Sequence, residues 1–180
     1  MIRSMFGKSA LTLLVLSSLS LAPIAATADD DDDDRNKNSF RASLQSFQEV
    51  PAVSSAAFGK FKATHDSAAA AINWELNYEG ISPTQSHIHF AQKGVNGGIM
   101  VFLCTNLGNG PAGTQACPAG PGPVKITGSF TGANMVNTAA GQGIPAGAFD
   151  KLLQALRGGI AYVNAHTTTF PGGEIRGQVK

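Results

Sequence analysis

Between residues 71 and 79 the chain alternates strictly. Ile72, Trp74, Leu76 and Tyr78 point one way, and Asn73, Glu75, Asn77 and Glu79 point the other. A period of two over this length predicts a strand with one buried and one wet face, as in an antiparallel sheet. Weaker alternation recurs upstream, where Phe40, Ala42 and Leu44 interleave with Arg41, Ser43 and Gln45 in a strand that Glu49-Val50-Pro51 ends, because Pro51 cannot donate to a ladder. Residues 58–64 read as a strand turning at His65-Asp66-Ser67, and 86–90, 99–104, 124–131, 160–166 and 174–179 supply five more. The run 99–104 (IMVFLC) is apolar throughout, which predicts a central strand covered on both faces. Only 148–157 carries helical spacing, with Phe149, Leu152, Leu153 and Leu156 on one side and Gly158-Gly159 as the stop. Seven or eight short strands and one short helix predict an all-β fold, an antiparallel Greek-key sandwich or barrel.

The first residues follow a different pattern. Arg3 and Lys8 precede an apolar stretch, 10–21, too short to span a bilayer, and Ala26-Thr27-Ala28 has the small-x-small form of a cleavage site. Residues 1–28 are therefore expected to be a signal peptide, which directs the chain to a secreted or periplasmic location, and no later run is long enough to cross a membrane. Six aspartates follow at 29–34. A block of like charges repels itself and stays solvated, so 29–38 is expected to be a disordered acidic tail in front of one domain, 39–180. The run lacks the turn residues and glycine of a calcium loop.

Charge and cysteine usage narrow the partners. Of 13 basic and 12 acidic residues, loss of the leader leaves 11 against 12; setting the six aspartates aside leaves a domain of about net +5. Those basic residues are scattered, without runs or interleaved aromatics, which argues against nucleic acid. The expected partner is a protein or small ligand outside the cytoplasm. Cys104 and Cys117 are the only cysteines, and in an oxidising compartment a disulfide is the default; it would close a 14-residue loop worth about 3 kcal/mol.

The candidate chemistry sits on two segments. In Ser86-His87-Ile88-His89-Phe90 both histidines share a strand face, and in residues 161–177 (AYVNAHTTTFPGGEIRG) Tyr162, Asn164 and His166 do the same. Two imidazoles two residues apart can chelate one ion, and His166 from a neighbouring strand would complete a three-histidine set suited to copper or zinc. The competing reading is structural: each ring satisfied by a carbonyl on one nitrogen and by Thr167 or a backbone amide on the other. Glu174 and Arg176 share a face and are expected to pair across strands, with Tyr162, Asn164 and Thr167 in the same polar network. No second acid accompanies Glu174, no G-x-S-x-G is present, and the glycines at 94–98 are followed by neither a helix nor a Lys-Ser/Thr pair. The catalytic set is incomplete, so the chain is read as a module that binds rather than catalyses.

Gln48-Glu49-Val50-Pro51, Ser86-His87-Ile88-His89 with Gly97-Gly98, and Tyr162-Val163-Asn164-Ala165-His166-Thr167 leading to Pro171-Gly172-Gly173-Glu174-Ile175-Arg176-Gly177 resemble the CHRD domain, a module named from chordin and found alone in secreted microbial proteins. The resemblance spans 39–180 and implies a secreted binding or structural module without a settled activity. The H-x-H strand before a glycine-rich turn is also similar to the copper-ligand strand of copper/zinc superoxide dismutases, although a zinc loop of clustered histidines is missing. That likeness leaves open the alternative of a copper- or zinc-binding protein at His87, His89 and His166, with redox chemistry within its reach.

Overall fold

The computed structural model describes residues 37–180. The expected signal peptide and residues 29–36 of the acidic tail lie outside the described residues. The last two residues assigned to the tail are not tail-like. Arg157 donates from Nε to the Lys37 carbonyl and from its terminal nitrogen to the Asn38 side chain, and the Asn38 carbonyl accepts from His65 N–H.

Eight antiparallel strands form one sheet: β1 Ser39–Gln45, β2 Phe58–Asp66, β3 Ala71–Glu79, β4 Gln85–Phe90, β5 Gly98–Thr105, β6 Val124–Phe130, β7 Ala161–His166 and β8 Ile175–Gln178. Their lateral order is β5-β4-β7-β8-β1-β2-β3-β6. The two ends of that order approach each other. Val101 of β5 bridges Met135, just beyond β6, and Val136 N–H donates to Met100 at 3.0 Å. The result is an all-β, nearly closed barrel-like sheet, as the strand pattern predicts.

The loop from β5 to β6 completes the closure. Cys104 and Cys117 are disulfide-bonded, Thr105 N–H donates to Gln115, and the Gln115 side chain donates to the Thr127 carbonyl on β6. β5 is consequently a terminal strand of the sheet, not the central one its apolar sequence predicts. Its coverage comes instead from the disulfide loop and from a 3-10 segment, Asn137–Gln142, packed along it. An apolar run reports two covered faces and does not say what covers them.

The inward residues of β3, Ile72, Trp74, Leu76 and Tyr78, are all buried in the barrel. Trp74 lies opposite Ala63 and Gly128, and a Cβ at Gly128 would come within 2.7 Å of the indole. The glycine is thus a steric requirement of the tryptophan. An α-helix, α1 (Phe149–Arg157), adds Leu152, Leu153, Ala155 and Leu156 to the same core.

One strand end differs in a way that matters for the site. β1 stops at Gln45, and a 3-10 turn, Ser46–Gln48, follows before Glu49. The Ser46 hydroxyl donates to the Ser55 carbonyl and accepts from Ser55 N–H, which folds the 46–55 loop back over the barrel. Glu49 is carried inward and is only 5% exposed.

Candidate functional site

β4 and β7 are adjacent, and their register sets Gln85 against His166, His87 against Asn164 and His89 against Tyr162. Alternation sends Ile88, Val163 and Ala165 into the hydrophobic core. The polar residues between them therefore share the opposite face. Every residue of β7 is buried, because that face is roofed by the 46–55 loop, by residues 93–97 and by the 167–174 turn. Arg176 fastens the roof: it donates to the Val95 carbonyl and, at 2.8 Å, to Asn96 Oδ1, while Asn96 Nδ2 donates to Val50 at 2.9 Å.

Beneath this roof the three expected histidines converge. One potential ligand atom from each of His87, His89 and His166 lies within 4.8 Å of the others, and all three rings are buried. A single point then lies within roughly 3 Å of all three, near enough for modest ring movement to reach the 2.0–2.1 Å of a metal–imidazole bond. His65, the remaining histidine, stands apart beside Asn38 and Phe149.

The proton positions follow from partners that can only accept. His89 Nδ1 donates to the Gly97 carbonyl at 2.9 Å, and His166 Nδ1 donates to the Pro171 carbonyl at 3.0 Å. Burial lowers the pKa of all three rings and so keeps them neutral: His87 falls to about 2, helped by its two histidine neighbours, and His89 to about 4. A neutral ring protonated at Nδ1 has a bare Nε2. That lone pair on His166 faces His87 Nδ1 at 3.1 Å, which supplies a proton to it, and also Asn164 Oδ1 at 3.1 Å, which has none. His87 Nε2 and His89 Nε2 are buried without any hydrogen-bond partner. Two buried ring acceptors are thus left unpaired, a deficit that a cation relieves.

The aromatic contacts fix ring orientation. His89 stacks on Tyr162 with centroids 4.6 Å apart and planes 4° from parallel, and Arg176 lies 3.5 Å from the centre of the same tyrosine. β4 and β8 flank β7, so the two groups reach the phenol from its two sides. His87 is held edge-on against Phe102 of β5, 4.4 Å between centroids.

Two expectations need correction. Glu174 and Arg176 do not pair. Glu174 instead accepts from Thr167 Oγ1 at 2.6 Å and Ser55 Oγ at 2.7 Å, which ties the 167–174 turn to the 46–55 loop, while Arg176 is engaged with the 93–97 segment. Thr167 accordingly serves no histidine; its hydroxyl donates to Glu174 and accepts from Phe170 N–H.

The sequence reading missed Glu49. Its carboxyl is buried, Oε1 has no partner, and desolvation raises its pKa to about 7 against the opposing pull of Arg176 and contributions from Val50 and Asn164. The clue was an acid directly before Val50-Pro51, in a segment read only as a strand terminus.

No curated protein and no solved structure matches the chain. The model of the CHRD domain does, over residues 40–179. That span takes in both histidine segments, the Glu49 turn and the closing Gly-Gly-Glu motif, and the chain belongs to the CHRD-domain family.

Proposed function

We propose that this CHRD-domain protein is an exported module that binds one copper or zinc ion through His87, His89 and His166. Family membership supports a binding or structural role, and the disulfide fits an oxidising, extracytoplasmic compartment. No helix among the described residues is long and apolar enough to cross a membrane. The observation that carries the metal reading is the pair of buried ring acceptors without partners, His87 Nε2 and His89 Nε2, in a cluster of three histidines whose potential ligand atoms lie within 4.8 Å of one another. A purely structural role would satisfy each ring, since an unpaired buried acceptor costs about 1–3 kcal/mol.

Three neutral imidazoles suit Cu²⁺ or Zn²⁺ better than Mg²⁺ or Ca²⁺, which prefer oxygen. The carbonyls of Gly97 and Pro171 act as outer partners that fix ring tautomers, a common feature of histidine metal sites. Three protein ligands leave a coordination position for a small exogenous group. The roof formed by Arg176, Asn96 and Glu49 would exclude bulk water from it.

Calorimetric titration of the metal-free protein with Cu²⁺ and Zn²⁺ tests this. One equivalent should bind in the wild type, and His89→Ala or His166→Ala should weaken binding by at least tenfold. Absence of heat in the wild type, or equal affinity in both variants, removes the reading.

A further inference from the structure

Residues 47–50 and 93–94 of the roof border a hollow of about 330 Å³. Two buried side chains of opposite charge line it, Glu49 and Arg176. They attract each other, yet no ion pair joins them among the described residues. Glu49 Oε1 has no hydrogen-bond partner, and the contacts of Arg176 with Val95 and Asn96 use two of its five N–H donors. Opposite charges buried near one another without pairing are costly unless a third group meets both.

The rest of the lining divides by hydrogen-bond role. Gln48 Nε2 donates to the Ser43 carbonyl, and Gln178 Nε2 donates to the Ala91 and Gly159 carbonyls. With those nitrogens engaged, each glutamine is left with an amide oxygen, which can only accept. Glu49 makes a third accepting group, and three acceptors match the three donors of an ammonium. On the donor side Lys93 joins Arg176, and a guanidinium beside an ammonium suits a carboxylate. Phe47, 71% exposed, and Val50 give the same hollow an apolar wall. We propose that this hollow binds a free α-amino acid with an apolar side chain, its ammonium at Glu49, Gln48 and Gln178 and its carboxylate at Arg176 and Lys93. The volume lies at the lower end for small-molecule sites, as so small a ligand requires. A peptide end carries only one of the two neighbouring charges, so it would leave either the acceptors or the donors unmatched. The site requires no metal at the histidines.

Calorimetric titration of the metal-free exported protein tests this, metal being left out because amino acids chelate Cu²⁺ and Zn²⁺. L-leucine should bind with one equivalent. N-acetyl-L-leucine lacks the ammonium and L-leucinamide lacks the carboxylate, and each should bind about tenfold more weakly or worse. Glu49→Gln should weaken L-leucine binding by a similar factor. Lys93→Gln, at an exposed position, should weaken it several-fold without moving Tm. Phe47→Ala should narrow the difference between L-leucine and glycine. No heat with L-leucine up to about 10 mM would overturn the proposal, since that limit leaves less than about 3 kcal/mol of binding. So would N-acetyl-L-leucine or L-leucinamide binding as tightly as L-leucine, or parent affinity in both Glu49→Gln and Lys93→Gln.

Discussion

A Cβ placed on Gly173 would lie 2.4 Å from Oε1 of Glu49, so the closing Gly-Gly turn and the buried carboxyl of a loop more than a hundred residues upstream occupy adjoining space. Gly173 also has φ +129°, a conformation that other residues rarely adopt. Gly173→Ala should therefore cost about 2–4 kcal/mol in urea unfolding. Part of that cost is steric and part is backbone strain. Pairing it with Glu49→Ala should recover the steric part, so the two changes should be non-additive. Additivity would mean that Glu49 does not sit against this turn.

Metal-free stability should depend on pH through two opposing groups. The histidines have lowered folded pKa values, so their contribution is complete above about 6.5 and is lost as pH falls through the folded values, about 4 for His89 and about 2 for His87. Glu49 has a raised folded pKa, so its contribution is complete below about 4.5 and is lost as pH rises through about 7. Stability should rise steeply from pH 4 and level off near pH 7, because three rings outnumber one carboxyl across that window. Denaturant midpoints measured from pH 4 to 8 check this; His89→Gln should reduce the acid slope by about a third, and Glu49→Gln should steepen the rise between pH 5 and 7. A profile that His89→Gln leaves unchanged would refute the neutral, buried state of the ring.

Metal binding should show the same protonation states from the other side. Protons compete with metal for ring lone pairs, and lowered histidine pKa values weaken that competition. Affinity for Zn²⁺ should change less than about threefold between pH 7.5 and 5.5, where exposed histidine sites lose far more. A cation beside the roof favours ionised Glu49, so binding near pH 6.5 should release a fraction of a proton, detectable as a buffer-dependent heat and absent in Glu49→Gln.

Cys104 and Cys117 tie β5 to the loop that reaches β6, the place where the sheet closes. Replacing both with alanine should lower stability by about 3 kcal/mol, with amide exchange rising first around Thr105, Gln115 and Thr127. Uniform destabilisation without local opening would show that the closure does not depend on the bridge.

The barrel was legible wherever one face of a strand is wet. The period-two pattern of Ile72–Tyr78 names both the strand and its buried side, and His87 and His89 could be placed together for the same reason. Period does not report what covers a strand. β5 therefore read as central although it lies at the end of the order, and the polar face of β7 gave no sign that loops bury it. The partners of Glu174 and Arg176 come from Ser55, Thr167, Val95 and Asn96, contacts largely set by how loops fold over the sheet. Spacing on one strand carries no information about such contacts. Glu49 was missed for a related reason: a carboxylate is ordinarily exposed, and only the Ser46–Gln48 turn makes this one face inward.

The central claim is that His87, His89 and His166 together hold one metal ion. Electron paramagnetic resonance of the protein with one equivalent of Cu²⁺ tests it most directly. The spectrum should show a single type of copper site with nitrogen hyperfine structure from three imidazoles, losing one nitrogen in each of His87→Ala, His89→Ala and His166→Ala. A spectrum without imidazole coupling, or one that all three variants leave unchanged, would contradict it.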